Sequence, residues 1–173
     1  MRTQYDVCVV GGGAAGMAAA IAAAEGGNTV CIIDKNKKLG KKLYATGNGR
    51  CNLANADMKD EHYHSAAEEY QTFLHTCMGD QPVRELSDFL QSIGIYTRCV
   101  DGYYYPISMQ ASAVVWALLD RLKVLQVTTY LSETVTDIQA KKDGYHVLCK
   151  DEIIAKKVIL ACGGRSYPML GGC

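Results

Sequence analysis

The chain has 173 residues, 49% hydrophobic and 21% charged, the composition of a globular domain with one core. Eighteen Lys and Arg balance eighteen Asp and Glu, which excludes a basic nucleic-acid binder and an acidic solvating tail as default readings. Three prolines and scattered serines exclude a long disordered or linker-like segment.

In chain order, Tyr5 to Val10 is a short apolar run of the kind found in strands buried on both faces. A glycine cluster follows at once. Ala14 to Glu25 is a strong helix former closed by Gly26-Gly27. Thr29 to Ile33 is a second buried strand, ending in Asp34. Strand, turn, helix and strand in about thirty residues make a βαβ unit with a right-handed crossover. Lys35 to Asn55 has no apolar period and reads as a long loop. Ser65-Ala-Ala-Glu68 has the form of a capping box opening a helix to about Cys77. Asp80 and Pro82 start another, with Val83, Leu86, Leu90 and Ile93 on one face and Gly94 at its end. Val114, Val115, Leu118, Leu119 and Leu122 mark a third helix. From Val127 the period changes to two, giving strands near 127–130, 133–139 and 145–149 with Asp143-Gly144 as a hairpin turn. A small β meander is thus expected from about Val127 to Ile154. Lys157 to Ala161 is a last buried strand running into Gly163-Gly164.

Val7 to Ala24 carries no charge and has the length of a membrane span. Its four glycines and many alanines make its transfer energy weak, and Asp6 stands where a signal peptide would be basic, so the stretch reads as soluble. Eight cysteines lie at least eleven positions apart, which leaves no CxxC and no zinc-knuckle spacing. Cys8, Cys31 and Cys149 read as small buried hydrophobes. A reduced, cytoplasmic setting follows.

Gly11-x-Gly13-x-x-Gly16 stands between the first strand and the first helix. Gly11 permits the tight turn, Gly13 lets a pyrophosphate approach the backbone, and Gly16 lets the helix pack close. The pyrophosphate would sit on the helix N-terminus, where the dipole and N–H groups favour an anion. Asp34, eighteen positions after Gly16, is placed to accept hydrogen bonds from ribose hydroxyls and to repel a 2′-phosphate, which disfavours NADP here. The same glycines also suit a tight turn in an α/β domain that binds no nucleotide. In Lys35 to Asn55, Thr46-Gly-Asn-Gly-Arg-Cys-Asn52 has little charge and many hydrogen-bonding groups. Composition leaves a solvated basic loop and a cofactor loop about equal there. His62-x-His64 could be two metal ligands, although no Cys or carboxylate partner has suitable spacing and a polar loop is the better reading; no metal is expected. Cys51 beside Arg50 is either a reactive thiol or, preferably, a packing residue. Tyr103-Tyr104-Tyr105 lines an aromatic pocket or forms a strand edge.

Four stretches, VGGGAAG, KKLGKKLYATGNGRCNLAN, DGYYYPIS and VILACGGRSYPMLGG, occur in this order across nearly the whole chain. Together they resemble the bacterial flavoproteins called HI0933-like, BaiN/YhiN-type or the "aminoacetone oxidase family", GNGRCN being the most specific element. The resemblance implies an α/β, three-layer Rossmann-like FAD-binding fold of the glutathione-reductase type, with a parallel sheet plus the meander. It implies that Gly11, Gly13, Ala14, Ala15 and Gly16 meet the pyrophosphate, and that Asp34, with Lys35 beside it, meets the adenosine ribose. Lys42 and the loop Gly47, Asn48, Gly49, Arg50, Cys51 and Asn52 would run along the phosphates toward the flavin. Val135, expected in a strand Glu133-Thr-Val135, would meet the adenine through its backbone. Ala161, Cys162 and Gly163 match a second flavoprotein motif, usually ATGG. Cys162 thus replaces a threonine, and Tyr103 and Tyr105 replace the more usual Arg and Phe.

By the same resemblance the chain is the cofactor-binding part of an FAD-dependent oxidoreductase. A small organic molecule is the substrate and NAD(P)H one candidate hydride donor; no nucleic acid or membrane partner is expected. Amine oxidation is a further candidate, whereas the lack of a close cysteine pair argues against disulfide reduction. Family members run to about twice this length, so a substrate domain and a C-terminal segment of the flavin site are expected outside residues 1–173, and turnover by this chain alone is not expected. The other reading is a dinucleotide-binding module without catalysis. No catalytic residue is assigned, and Arg50, Cys51 and Asn52 are the side chains to inspect first.

Overall fold

The computed structural model describes residues 3–67 and 69–164. They form two compact units: residues 3–45 with 115–164, and residues 46–67 with 69–114.

The first unit is built on β1 (Gln4–Val10), α1 (Ala14–Glu25) and β2 (Val30–Asp34). β1 and β2 pair in parallel with Cys8 opposite Cys31 and Val10 opposite Ile33. Alternation along these strands sends Cys8, Val10, Cys31 and Ile33 into one core cluster, which Tyr5 joins from the start of β1 and which is shared with Val147, Ile153 and Ala155. Val9 and Ile32 are equally buried and face the other way, toward α1, whose Met17, Ala20 and Ile21 are fully buried. Burial on both faces explains the unbroken apolar runs.

The remaining strands of this unit are β6 (Thr128–Leu131), β7 (Asp137–Lys141), β8 (Gly144–Leu148) and β9 (Glu152–Leu160). The sheet order is β6-β2-β1-β9-β8-β7. The meander is therefore β7-β8-β9, and β6 does not belong to it: β6 lies parallel to β2, Thr128 against Cys31 through Leu131 against Asp34. The expected strand over 133–139 is corrected likewise. Ser132 takes a left-handed backbone (φ 58°), and its N–H donates to the Asn36 carbonyl at 3.0 Å while that of Glu133 donates to the Asp34 carbonyl at 3.1 Å. These bonds turn the chain across the end of β2, so Glu133, Thr134 and Val135 lie between strands. The hairpin turn is Lys142-Asp143, one residue earlier than expected, because Lys141 pairs with Gly144. β9 starts earlier than expected, with Leu148 against Glu152 on β8 and Gln4 against Ile154 on β1. Cys8 and Cys31 are fully buried, and Cys149 is half-buried.

The second unit contains α2 (Tyr70–Met78) and α3 (Pro82–Ser92) and the sheet β3-β5-β4, of Ala54–Asn55, Tyr103–Pro106 and Thr97–Val100. The Ser65 hydroxyl accepts from the Ala67 N–H at 3.1 Å, closing a local turn instead of capping a helix. α2 starts at Tyr70, and Glu68 lies outside the described residues. α3 matches its apolar face, with Leu90 buried. α4 (Ala111–Val124) is the third expected helix, begun three residues earlier. No helix among the described residues is long and apolar enough to cross a membrane.

Candidate functional site

The parallel strands β1, β2 and β9 end side by side at Val10, Asp34 and Leu160, and ligands of open α/β sheets bind beyond such carboxyl ends. The turn after β1 is held tightly. Gly11 has φ +106°, its N–H donates to the Ile33 carbonyl at 2.8 Å, and a Cβ on it would lie 2.4 Å from the Ala161 carbonyl oxygen. A Cβ on Gly16 would lie 1.8 Å from the Gly11 carbonyl oxygen. Both positions therefore exclude any side chain. Gly13 differs, since a Cβ there would meet nothing within 4 Å.

Gly13 is the N-cap residue of α1 and supplies no side-chain cap; the first turn carries no acidic residue. The first bond of the helix runs from the Met17 N–H to the Gly13 carbonyl at 2.9 Å. The N–H groups of Ala14, Ala15 and Gly16 thus point out of the helix end, backed by its dipole. Open space above Gly13 and an uncapped helix end together make a cradle for an anion.

Asp34 organises the other side. One carboxylate oxygen accepts the Gly12 N–H at 2.6 Å, and the other accepts the Asn36 N–H at 2.7 Å and side-chain amide at 2.9 Å. The carboxylate so ties the glycine turn to the end of β2. Beside it lies a groove of about 160 Å³ lined by Ile33, Asp34, Lys35, Thr134, Val135 and Cys162, among others. A smaller hollow of about 70 Å³ lies over Gly11, Gly12 and Gly13, with Lys41, Lys42 and Gly163 on its walls. Lys42 Nζ donates to the Gly164 carbonyl at 3.2 Å. The Ala161 N–H donates to the Val10 carbonyl at 2.8 Å, and the Cys162 thiol lies 3.7 Å from that same oxygen.

Of the expected site residues, Gly11, Gly13, Ala14, Ala15, Gly16, Asp34, Lys35, Lys42, Val135, Ala161, Cys162 and Gly163 all belong to the first unit. Those that line its two hollows meet at the glycine turn. Val135 reaches the groove from an irregular segment and not from a strand. Sequence reasoning passed over Gly12, Asn36, Glu133 and Thr134. Asn36 had a signal, since a carboxylate that bonds the N–H two residues on is an Asx-turn.

Gly47 to Asn52 belongs to the second unit and is a tight loop in itself. Gly47, Asn48, Gly49 and Cys51 all have left-handed backbones. The Cys51 N–H donates to the Thr46 carbonyl, and the Arg50 N–H and Nε both donate to the Gly47 carbonyl, each at 3.1 Å. The Arg50 guanidinium lies 5.1 Å from the centre of the Tyr105 ring, within cation–π range. Cys51 is 1% exposed, and burial pushes its thiol up from the ordinary value, the Thr46 hydroxyl acting weakly against this. Burial and a raised thiol pKa suit a packing role. Tyr103, Tyr104 and Tyr105 form the central strand of the small sheet, with Tyr105 buried and Tyr103 exposed. His62 bonds Asp57 at 3.0 Å, and no metal-binding group of His, Cys, Asp or Glu occurs among the described residues.

The profile of the family described as HI0933-like protein Rossmann domain matches residues 5–173. The 3-dehydro-bile acid delta(4,6)-reductase of Clostridium scindens is 37% identical over 166 residues, covering 94% of this chain and 40% of that protein. The ribosomal RNA dihydrouridine synthase of Escherichia coli is 27% identical over 171 residues, covering 97% of this chain and 42% of that protein. The chain thus spans about two fifths of the length of these relatives. Among solved structures, the 3-ketosteroid-delta4-(5alpha)-dehydrogenase of Rhodococcus jostii shares the fold, with TM-score 0.63, 17% identity, and coverage of 95% of this chain and 47% of that one.

Proposed function

The chain belongs to the HI0933-like Rossmann-domain family, a family of FAD-dependent oxidoreductases, and on that premise we propose that its first unit binds FAD. The observation that carries the reading is the cradle at Gly13, where open space meets the uncapped end of α1 next to the Asp34 carboxylate. The diphosphate lies over Gly11, Gly13 and the N–H groups of Ala14, Ala15 and Gly16, with Lys42 alongside. The ribose meets Asp34, flanked by Lys35, and the adenine lies in the groove at Val135. Ala161, Cys162 and Gly163 pass beneath the diphosphate. Gly47, Asn48, Gly49, Arg50, Cys51 and Asn52 serve the flavin end, a role supported by their resemblance to the family's loop.

When bound, FAD supplies the hydride and electron transfer, and the chain supplies binding and orientation. The whole protein reduces or oxidises a small organic molecule, with NAD(P)H as a candidate donor. The 37% identical bile acid reductase supports a small-molecule substrate. The rRNA-modifying relative is more distant, and the chain's charge is balanced overall, without the net positive charge that favours a nucleic acid. Cysteines without paired spacing support a reduced, cytoplasmic setting.

Calorimetric titration with FAD, ADP and FMN tests the cofactor site. FAD and ADP bind and FMN does not, since the described grooves lie where the adenosine diphosphate goes. Asp34→Ala removes the acceptor of Gly12 and Asn36 and weakens FAD at least tenfold, a loss in line with the roughly 1.5–3 kcal/mol of a hydrogen bond to a charged group. Unchanged FAD affinity in that variant removes Asp34 from the site.

A further inference from the structure

A further cavity of the first unit lies away from the glycine turn, bounded by the segment after β2, α4 and the edge strand β6. It has a volume of about 380 Å³ and shares no lining residue with either hollow at that turn. At its base lie Leu39 and Leu122, 4% and 2% exposed. Tyr44, Val127 and Leu131 form apolar walls. Lys37, Lys38 and Lys123 stand around it, all exposed, and no acidic side chain lines it. None of the three lysines forms an ion pair or hydrogen bond with a described residue. This contrasts with Arg121 on the same helix, which is neutralised by Glu25 at 2.6 Å.

An apolar floor under three unneutralised ammonium groups is complementary to one kind of molecule, an anion with a hydrocarbon body. We propose that this cavity binds a free aliphatic carboxylate, its chain against Leu39 and Leu122 and its head among Lys37, Lys38 and Lys123. Lysine suits this task because a compact ammonium on a long stem reaches a carboxylate while its methylenes cover the chain. The recessed base favours a single chain over a bilayer surface, since Leu39 and Leu122 lie too deep for a lipid plane. A cavity of this volume lies within the range of small-molecule pockets, which are about 300–1,000 Å³. The site is independent of the cofactor and does not rest on the flavoprotein reading.

Titration of the chain with decanoate below its micelle concentration, followed by amide NMR, tests this. Saturable shifts are expected at Leu39, Lys123, Val127 and Thr129, with weaker binding as salt rises. Combined Lys37→Gln, Lys38→Gln and Lys123→Gln substitutions weaken decanoate at least tenfold while the other amide shifts stay unchanged, showing an intact fold. Lys123→Gln alone gives an intermediate loss, which keeps the test valid if the triple variant misfolds. Decyltrimethylammonium bound as tightly as decanoate overturns the proposal, as do shifts confined to the glycine turn or no shifts at all. Binding to phosphatidylglycerol vesicles in preference to decanoate also overturns it, because the occupant is then a membrane surface.

Discussion

Gly13 and Gly16 lie three residues apart on one turn, yet a methyl group has opposite consequences at the two positions. At Gly16 it would sit 1.8 Å from a backbone oxygen, a contact that only movement of the glycine turn relieves. Gly16→Ala is expected to cost about 1–3 kcal/mol, the range for overpacking, seen as a lower urea midpoint. Gly13 has φ −79°, a backbone alanine adopts freely, and open space around it. Gly13→Ala should keep stability within about 0.5 kcal/mol of the parent while weakening FAD at least tenfold, because the methyl occupies the cradle. Equal stability losses in the two variants would contradict the assignment of that space to a ligand. Spacing makes the tight packing at Gly16 and the open backbone at Gly13 legible, because each follows from the lack of a Cβ. It leaves Cys51 open, since burial is a property of the folded loop. Iodoacetamide should label exposed Cys77 and Cys99 first and spare Cys8, Cys31 and Cys51; rapid labelling of Cys51 would restore the reactive-thiol reading.

At the scale of elements, the β7–β8–β9 hairpins carry a charge cluster that spacing did not reveal. The His146 ring, 7% exposed, meets Glu152 at 2.8 Å through Nδ1 and Asp143 at 3.0 Å through Nε2, with Lys141 Nζ at 3.2 Å from Nδ1. Glu152 first and Asp143 second hold the His146 pKa above its ordinary 6.5. The same contacts lower both carboxylates. A raised histidine stabilises the fold fully below its unfolded pKa and loses that contribution as pH rises through the folded value. The lowered carboxylates act in the reverse sense, losing theirs as pH falls through their folded values. The hairpins should therefore be most stable between the ordinary carboxylate range and about pH 6.5. NMR titration of His146 should give a midpoint above 6.5, and the stability difference between the parent and His146→Gln should shrink above that midpoint. A midpoint at or below 6.5 would show that the carboxylates do not engage the ring. The start of α2 was misread for a related reason: Ser65 satisfies a nearby N–H in a local turn, and the pattern alone does not distinguish that turn from a cap.

For the whole molecule, the βαβ start was legible because both faces of β1 and β2 are buried and the glycines between them admit one kind of turn. The partner of β6 was not legible. Its four residues, Thr128 to Leu131, suit a meander edge as well as a parallel edge beside β2, and the choice rests on pairing about a hundred residues away in sequence. That pairing matters to the site, since it carries Glu133, Thr134 and Val135 onto the end of β2. Val135 thus lines the groove for a reason that strand patterning does not supply. If the two grooves that share Gly11, Asp34 and Cys162 hold FAD, the absorption spectrum of the purified chain shows it. A bound flavin band in the blue is expected, present as isolated or after addition of FAD, and released as FAD on denaturation. A colourless chain that stays colourless after incubation with FAD and removal of the excess would contradict it.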